Sequence, residues 1–123
     1  MENQLNEELR ALLEAREASM SVVISNPHLD DNPMIYVSEE FTRQTGYLPE
    51  EVIGQNCRLL QGPGTSPITI QKIGSALHKR EKIETDLLNY RKDGTAFMNR
   101  VRIRPLFDEN GDLMYFVGAQ NPL

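Results

Sequence analysis

Gly54-Gln55-Asn56-Cys57-Arg58-Leu59-Leu60-Gln61 holds the one cysteine of the chain, set between an amide and a guanidinium, with a second amide four residues on. Gly54 closes a helical-looking run at Pro49–Ile53, as glycine does just past a helix end. Gly62-Pro63-Gly64 punctuates the other side, so the segment is short and bounded at both ends. A lone cysteine is most often a small buried hydrophobe. Asn56, Arg58 and Gln61 shift that reading, because a turn that meets no ligand is rarely given so many hydrogen-bonding groups beside a thiol.

Downstream of this segment the sequence reads as strand, hairpin, strand, hairpin, strand. Asn110-Gly111 is the strongest short hairpin signal and predicts a two-residue type I′ turn. That register sets Gln120 opposite Val101 and Gly118 opposite Ile103. Asp93-Gly94 predicts a three-residue loop with glycine in the left-handed position, which is expected to set Asn89 opposite Asn99. Strand alternation places Leu87 with Asn89, Val101 and Ile103 with Asn99, and Phe116 with Gln120. The strands therefore raise one common face, apolar except for the carboxamides of Asn89, Asn99 and Gln120. An unpaired buried amide costs about 1–3 kcal/mol, so three on one core face demand partners. Mutual pairing or ordered water is the plainer account. A flat heteroaromatic ring with donors and acceptors along its edge fits better, and Gly118 leaves room for it.

Upstream, Leu5, Leu9, Leu12 and Leu13 predict one face of a helix from Gln4 to Ala18. Such a helix covers its own sheet or packs against its twin in a second subunit, and the leucine stripe alone does not choose. Met20–Ser25 and Met34–Val37 read as strands, with turn chemistry at Asn26-Pro27 and Asp30–Pro33 between them. Glu39–Thr45 reads as a helix stopped by Gly46, and Pro49 suits a first helical position with Glu50 and Glu51 behind it. Thr65 or Ser66 caps a further helix running from Pro67 to about Arg80, with Ile68, Ile70, Ile73 and Leu77 as its apolar face. The expected division is an N-terminal helical cap over residues 1–19 and a core over residues 20–123.

At 123 residues the chain has the length for one domain with a single core and a small ligand. Its net charge of −5 argues against nucleic acid as a partner. Arg100, Arg102 and Arg104 alternate along a strand and read as a solvated outer face. A single cysteine excludes an internal disulfide and fits a reducing compartment. No run reaches the apolar length of a membrane span and the N-terminus is acidic, so the expectation is a cytoplasmic protein without a membrane partner.

The segment Gly54–Gln61 resembles the Gly-x-Asn-Cys-Arg-Phe-Leu-Gln signature of the LOV domains, the flavin-binding blue-light sensors of the PAS superfamily, with Leu59 in place of Phe. Asp31-Asn32-Pro33, Thr45-Gly46-Tyr47, Asn89–Gly94 and Gly118-Ala119-Gln120 are similar to further landmarks of that family, so the likeness runs from about Val22 to Gln120. The resemblance implies an α+β PAS fold: a five-stranded antiparallel sheet, short helices on one face and an N-terminal helical extension. It implies non-covalent FMN, with riboflavin or FAD as partial occupants. Asn89 and Asn99 would then bond the pyrimidine edge, Gln120 the C4 carbonyl and N5, Asn56 and Gln61 the ribityl chain, and Arg58 the phosphate. Val23, Asn32, Met34, Leu60, Val101, Ile103, Phe116 and Gly118 would surround the ring. Cys57 would form a reversible bond to ring carbon C4a under blue light, and Gln120 would reorganise its hydrogen bond as N5 gains a proton. This is a switch and not enzymatic turnover.

Two departures from the family pattern carry expectations. Gly74 stands where many members place a second phosphate-binding arginine, so the grip on phosphate rests on Arg58, helped by Lys72, and riboflavin occupancy is expected. Met34 stands near the thiol where branched aliphatics are frequent, and a flexible thioether packs less rigidly there. No effector domain or long C-terminal helix follows Gln120, which suits a short LOV protein or a sensor core. The expected output is a homodimer whose N-terminal helix packing changes with light; the downstream partner is not legible. Two alternatives stand beside this reading. One is a PAS sensor for another ligand, with His78 as a haem ligand, although His78 sits in the charged run His-Lys-Arg-Glu-Lys. The other is a flavin redox enzyme, for which the sequence offers no dinucleotide fingerprint.

Overall fold

The computed structural model describes the backbone of residues 2–123 and the side chains of residues 5–123; Met1, the first residue of the expected cap, lies outside them. Five strands form one antiparallel sheet in the order β2-β1-β5-β4-β3, with β1 at Ser21–Ser25, β2 at Met34–Val37, β3 at Ile83–Tyr90, β4 at Ala96–Phe107 and β5 at Leu113–Pro122. The β-branched run of β1 lies inside this sheet, between β2 and β5, and is buried along its whole length, because both faces of the sheet are covered there.

The inner face carries the short helices α2 (Glu39–Thr45), α3 (Pro49–Val52) and α4 (Pro67–His78) and a 3-10 turn at Cys57–Leu60. Val23, Met34, Phe41, Val52 and Leu60 form the core between these helices and the sheet. Local chemistry sets the helix ends. Gly46 stops α2 in the left-handed conformation, Pro49 opens α3, and the Ser66 side chain caps α4 by accepting the Thr69 N–H. Ile68, expected on the apolar face of α4, is 71% exposed, while Ile73 and Leu77 turn inward.

On the outer face, Leu9 packs with Val22, Ile24, Tyr36, Val117 and Ala119. The single helix expected from Gln4 to Ala18 is broken in two: α1 ends at Arg10, and a 3-10 turn occupies Ala15–Ser19. The cause is tertiary. Arg104 on β4 donates to the Leu12 carbonyl at 3.3 Å and to the Glu17 carboxylate at 2.8 and 3.1 Å, and Glu17 accepts the Glu14 N–H at 2.8 Å. A continuous helix would hold the Leu12 carbonyl in its own ladder. Arg104 is therefore a half-buried tether, whereas Arg100 and Arg102 pair at the surface with Asp86 and Glu84.

Both hairpins correct the sequence reading. The β3–β4 loop has the three residues expected, with Arg91 N–H bonding the Thr95 carbonyl at 2.8 Å and Gly94 at φ 89°. That loop pairs Asn89 with Phe97 and Asn99 with Leu87, so the two asparagines are diagonal neighbours and not opposite. At the second hairpin Asn110 is not at positive φ, which excludes type I′. Asp108 instead pairs with Asp112 around a three-residue loop in which Gly111 is left-handed. The added loop residue is compensated by an irregularity between Leu106 and Phe107, which restores Gln120 opposite Val101 and Gly118 opposite Ile103.

Candidate functional site

The motif segment is held as a 3-10 turn by its own residues and by the loop ahead of β2. Asn56 caps it, its Oδ1 accepting the Arg58 N–H at 2.9 Å, and its Nδ2 donates to the Asp31 carbonyl at 2.7 Å. These bonds leave one amide proton and one lone pair of Asn56 free to meet a ligand. Backbone bonds from Met34 N–H to the Gln55 carbonyl and from Gly54 N–H to the Met34 carbonyl, both 2.9 Å, stitch the segment to β2. Arg58 pairs with the Asp31 carboxylate at the surface.

Between this turn and the inner face of the sheet lies a cavity of about 150 Å³, an order of magnitude beyond the room one water needs. Cys57, Asn56, Arg58, Leu60 and Gln61 line it from the motif, Asn32 from the loop before β2, and Val23, Asn89, Val101, Ile103, Phe116, Gly118 and Gln120 from the sheet. Burial pushes the Cys57 thiol up to about 11, so the sulfur is protonated at neutral pH.

Two expected residues are not brought to the lining. Asn99 is fully buried and its Nδ2 donates at 3.0 Å to Asn89, its diagonal neighbour on the same face of the sheet. Met34 is fully buried in the core cluster against which Cys57 packs, one layer behind the cavity wall. Four lining residues went unassigned: Ser25, Ile73, Leu77 and Leu87. Alternation from Val23 reaches Ser25, alternation from Asn89 reaches Leu87, and i,i+4 spacing joins Ile73 to Leu77, so the signals were present. His78 is exposed on α4 and does not line the cavity.

The three carboxamides are partly satisfied by the protein, as the plainer account held. Asn99 bonds Asn89, and the Gln120 Oε1 accepts from the Ser21 hydroxyl at 3.3 Å. The pairing is incomplete: Asn99 Oδ1 and Asn32 Oδ1 are buried without partners. Gly118 adds free space, since a Cβ built there meets nothing closer than Ile103 Cγ1 at 3.8 Å. A thiol on one wall, amides and apolar side chains on the other, and the exposed Arg58 guanidinium among the lining residues give the cavity both apolar and hydrogen-bonding surfaces.

A family model described as PAS domain matches residues 19–121. A blue-light-activated histidine kinase of Brucella anthropi is 50% identical over 101 residues, 82% of this chain and 21% of the relative. The chain thus spans about a fifth of the length of that curated relative. Among solved structures, the LOV domain of a blue-light-activated histidine kinase from Erythrobacter litoralis matches with a TM-score of 0.82 at 38% identity, covering 85% of this chain and 96% of that one. A structure from work on the light-oxygen-voltage domain mechanism with a flavin analogue matches with a TM-score of 0.86 at 40% identity, covering 95% of this chain and 84% of that one. The chain belongs to the PAS domain family and, within it, to the LOV domains. Among the described residues, no helix is long and apolar enough to cross a membrane.

Proposed function

We propose that this domain is a blue-light sensor that holds FMN non-covalently in the cavity and uses Cys57 as its reversible covalent partner. The observation that carries the reading is the placement of the one thiol on the wall facing an amide-edged sheet, with the buried Asn32 Oδ1 unpartnered at the lining. Flavin, when bound, supplies blue-light absorption and a ring carbon to which a thiol bonds reversibly after excitation. Cys57 enters as the neutral thiol and so brings its own proton. Asn89 and Gln120 offer edge hydrogen bonds, with Asn99 acting through Asn89; Asn56 and Gln61 suit a ribityl chain, and Arg58 suits phosphate in a fork.

Gln120 is the proposed switch. Its Oε1 is held by the Ser21 hydroxyl, which can donate or accept, so the amide keeps a partner in either orientation. On the same strand, Ala119 faces outward against the cluster that contains Leu9, so a shift at Gln120 has a one-residue path to the N-terminal segment. The output expected from this is a change in how that segment packs, within a homodimer. Leu9 is committed to its own sheet, which leaves the exposed Leu5 for a second copy.

The test is the visible spectrum of purified protein. Structured absorption in the blue that bleaches under blue light and recovers in the dark is expected, and Cys57→Ala should stay yellow without bleaching. A colourless protein that takes up no added flavin would refute the reading. Scattering in dark and light checks the output: a monomer in both states removes the dimer.

A further inference from the structure

Arg58 is the one charged side chain among the residues lining the cavity, and it is already engaged. The Asp31 carboxylate pairs with its guanidinium, while the Asp31 carbonyl accepts the Asn56 amide at 2.7 Å. Asp31 and Asn32 are both left-handed, at φ 65° and 47°, although a residue ahead of proline, as Asn32 is ahead of Pro33, is ordinarily extended. Two consecutive left-handed residues thus give one turn two tasks: Asn32 lines the cavity, and Asp31, outside the lining, closes on the exposed cation.

We propose that Asp31 is a specificity-determining residue: it competes with a ligand phosphate for Arg58 and so lowers the preference of the cavity for FMN over riboflavin. The inference rests on the flavin reading of the cavity. A phosphate monoester carries close to two negative charges at neutral pH and takes a guanidinium through the same fork that a carboxylate uses. On arrival the phosphate either displaces Asp31 from Arg58 or shares the cation with it, leaving two anions together. A ligand ending in a hydroxyl leaves the Asp31–Arg58 pair intact and meets neither cost. No second cation lines the cavity to offset the carboxylate, since Lys72 is exposed on α4 and Gly74 brings no charge. Both members of the pair are about half exposed, at 55% and 57%, so solvent screens the effect to about two- to five-fold in relative affinity.

The experiment equilibrates the purified full chain with an equimolar mixture of FMN and riboflavin, removes free flavin, and separates the bound flavins by chromatography. Asp31→Asn and Asp31→Gly remove the carboxylate with residues at home in the left-handed conformation, so one variant remains should the other fail to fold. The bound FMN-to-riboflavin ratio is expected to rise about two- to five-fold in both, and to rise less at high salt. Arg58→Gln should lower the ratio, and adding Asp31→Asn to it should change nothing further, because the competed-for cation is gone. A ratio unmoved or lowered in Asp31 variants that still take up flavin overturns the role of Asp31 and leaves the flavin reading standing. Uptake of neither flavin by the unmodified chain overturns both.

Discussion

Gly118→Ala separates a ligand cavity from a packing defect, because the two readings predict different changes in flavin affinity. Gly118 lies on β5 between Phe116 and Gln120, opposite Val23 on one side and Ile103 on the other, and it is not among the glycines at positive φ. A Cβ there sits at ordinary contact distance, 3.8 Å from Ile103 Cγ1 and 3.9 Å from the Val23 carbonyl. The ligand-free protein therefore accepts the methyl. Restricting the unfolded chain contributes about 0.4–1 kcal/mol, so the variant gains about that much without ligand. The same methyl projects into the cavity from its floor. Overpacking against a ring held there costs about 1–3 kcal/mol, which lowers flavin affinity roughly five-fold to a hundred-fold or more. Thermal unfolding of flavin-stripped protein followed by circular dichroism reads the first effect, and fluorescence titration with FMN reads the second. A variant that melts higher when stripped yet binds FMN as tightly as the parent would show that no ring lies on this strand, and the proposed pose would fall.

Gly74 points into open space and sits inside α4, so Gly74→Arg is expected to stabilise the helix by up to about 1 kcal/mol and to raise the FMN share of bound flavin; an unchanged share in chromatography rejects the phosphate-end geometry. Met34 packs one layer behind Cys57, and Met34→Ile is expected to slow dark recovery after illumination several-fold by stiffening that layer; identical recovery traces dismiss it. Burial alone would raise the Glu17 carboxyl, but the Arg104 guanidinium and the Glu14 N–H hold it below its ordinary value. The tether is therefore at full strength above the ordinary carboxylate value of about 4.3 and is lost as pH falls through the lower folded value. Glu17→Gln should cost about 1–3 kcal/mol at neutral pH and flatten that acid limb, as hydrogen exchange over residues 15–20 would show; matching acid profiles in both proteins contradict it.

The parts of the fold that were legible in the sequence are those fixed by neighbours along the chain. Gly46, Pro49 and Ser66 set helix ends through their own backbones and side chains, and the elements they bound fall where the sequence places them. The end of α1 was not legible, because it is decided by Arg104, which takes a carbonyl from a residue far behind it in sequence. The Asp31–Arg58 pair was hidden for the same reason. Each residue read singly is an exposed charge in a turn, and only the close approach of two loops makes them one device.

The inner face survived two errors of register, and the reason is physical. Side chains on a strand repeat every two residues, so pairing Asn89 with Phe97 in place of Asn99 moves partners along the sheet without moving them through it. At the other hairpin the loop residue and the irregularity at Leu106 each shift the ladder by one, and together they return the β5 side chains from Tyr115 onward to the face expected. Which amides share a face is thus a sturdier inference than which amides touch. What the sequence could not decide was whether those amides merely satisfy one another. The asparagine pair uses one amide proton and one acceptor, and it leaves Asn99 Oδ1 unpartnered at zero exposure, while Asn32, whose Oδ1 is also unpartnered, lines the cavity. Two buried acceptors left without donors cost more than an apolar pair of the same shape. Of the two, Asn32 lines the cavity, so its oxygen is the one the proposed ligand would meet.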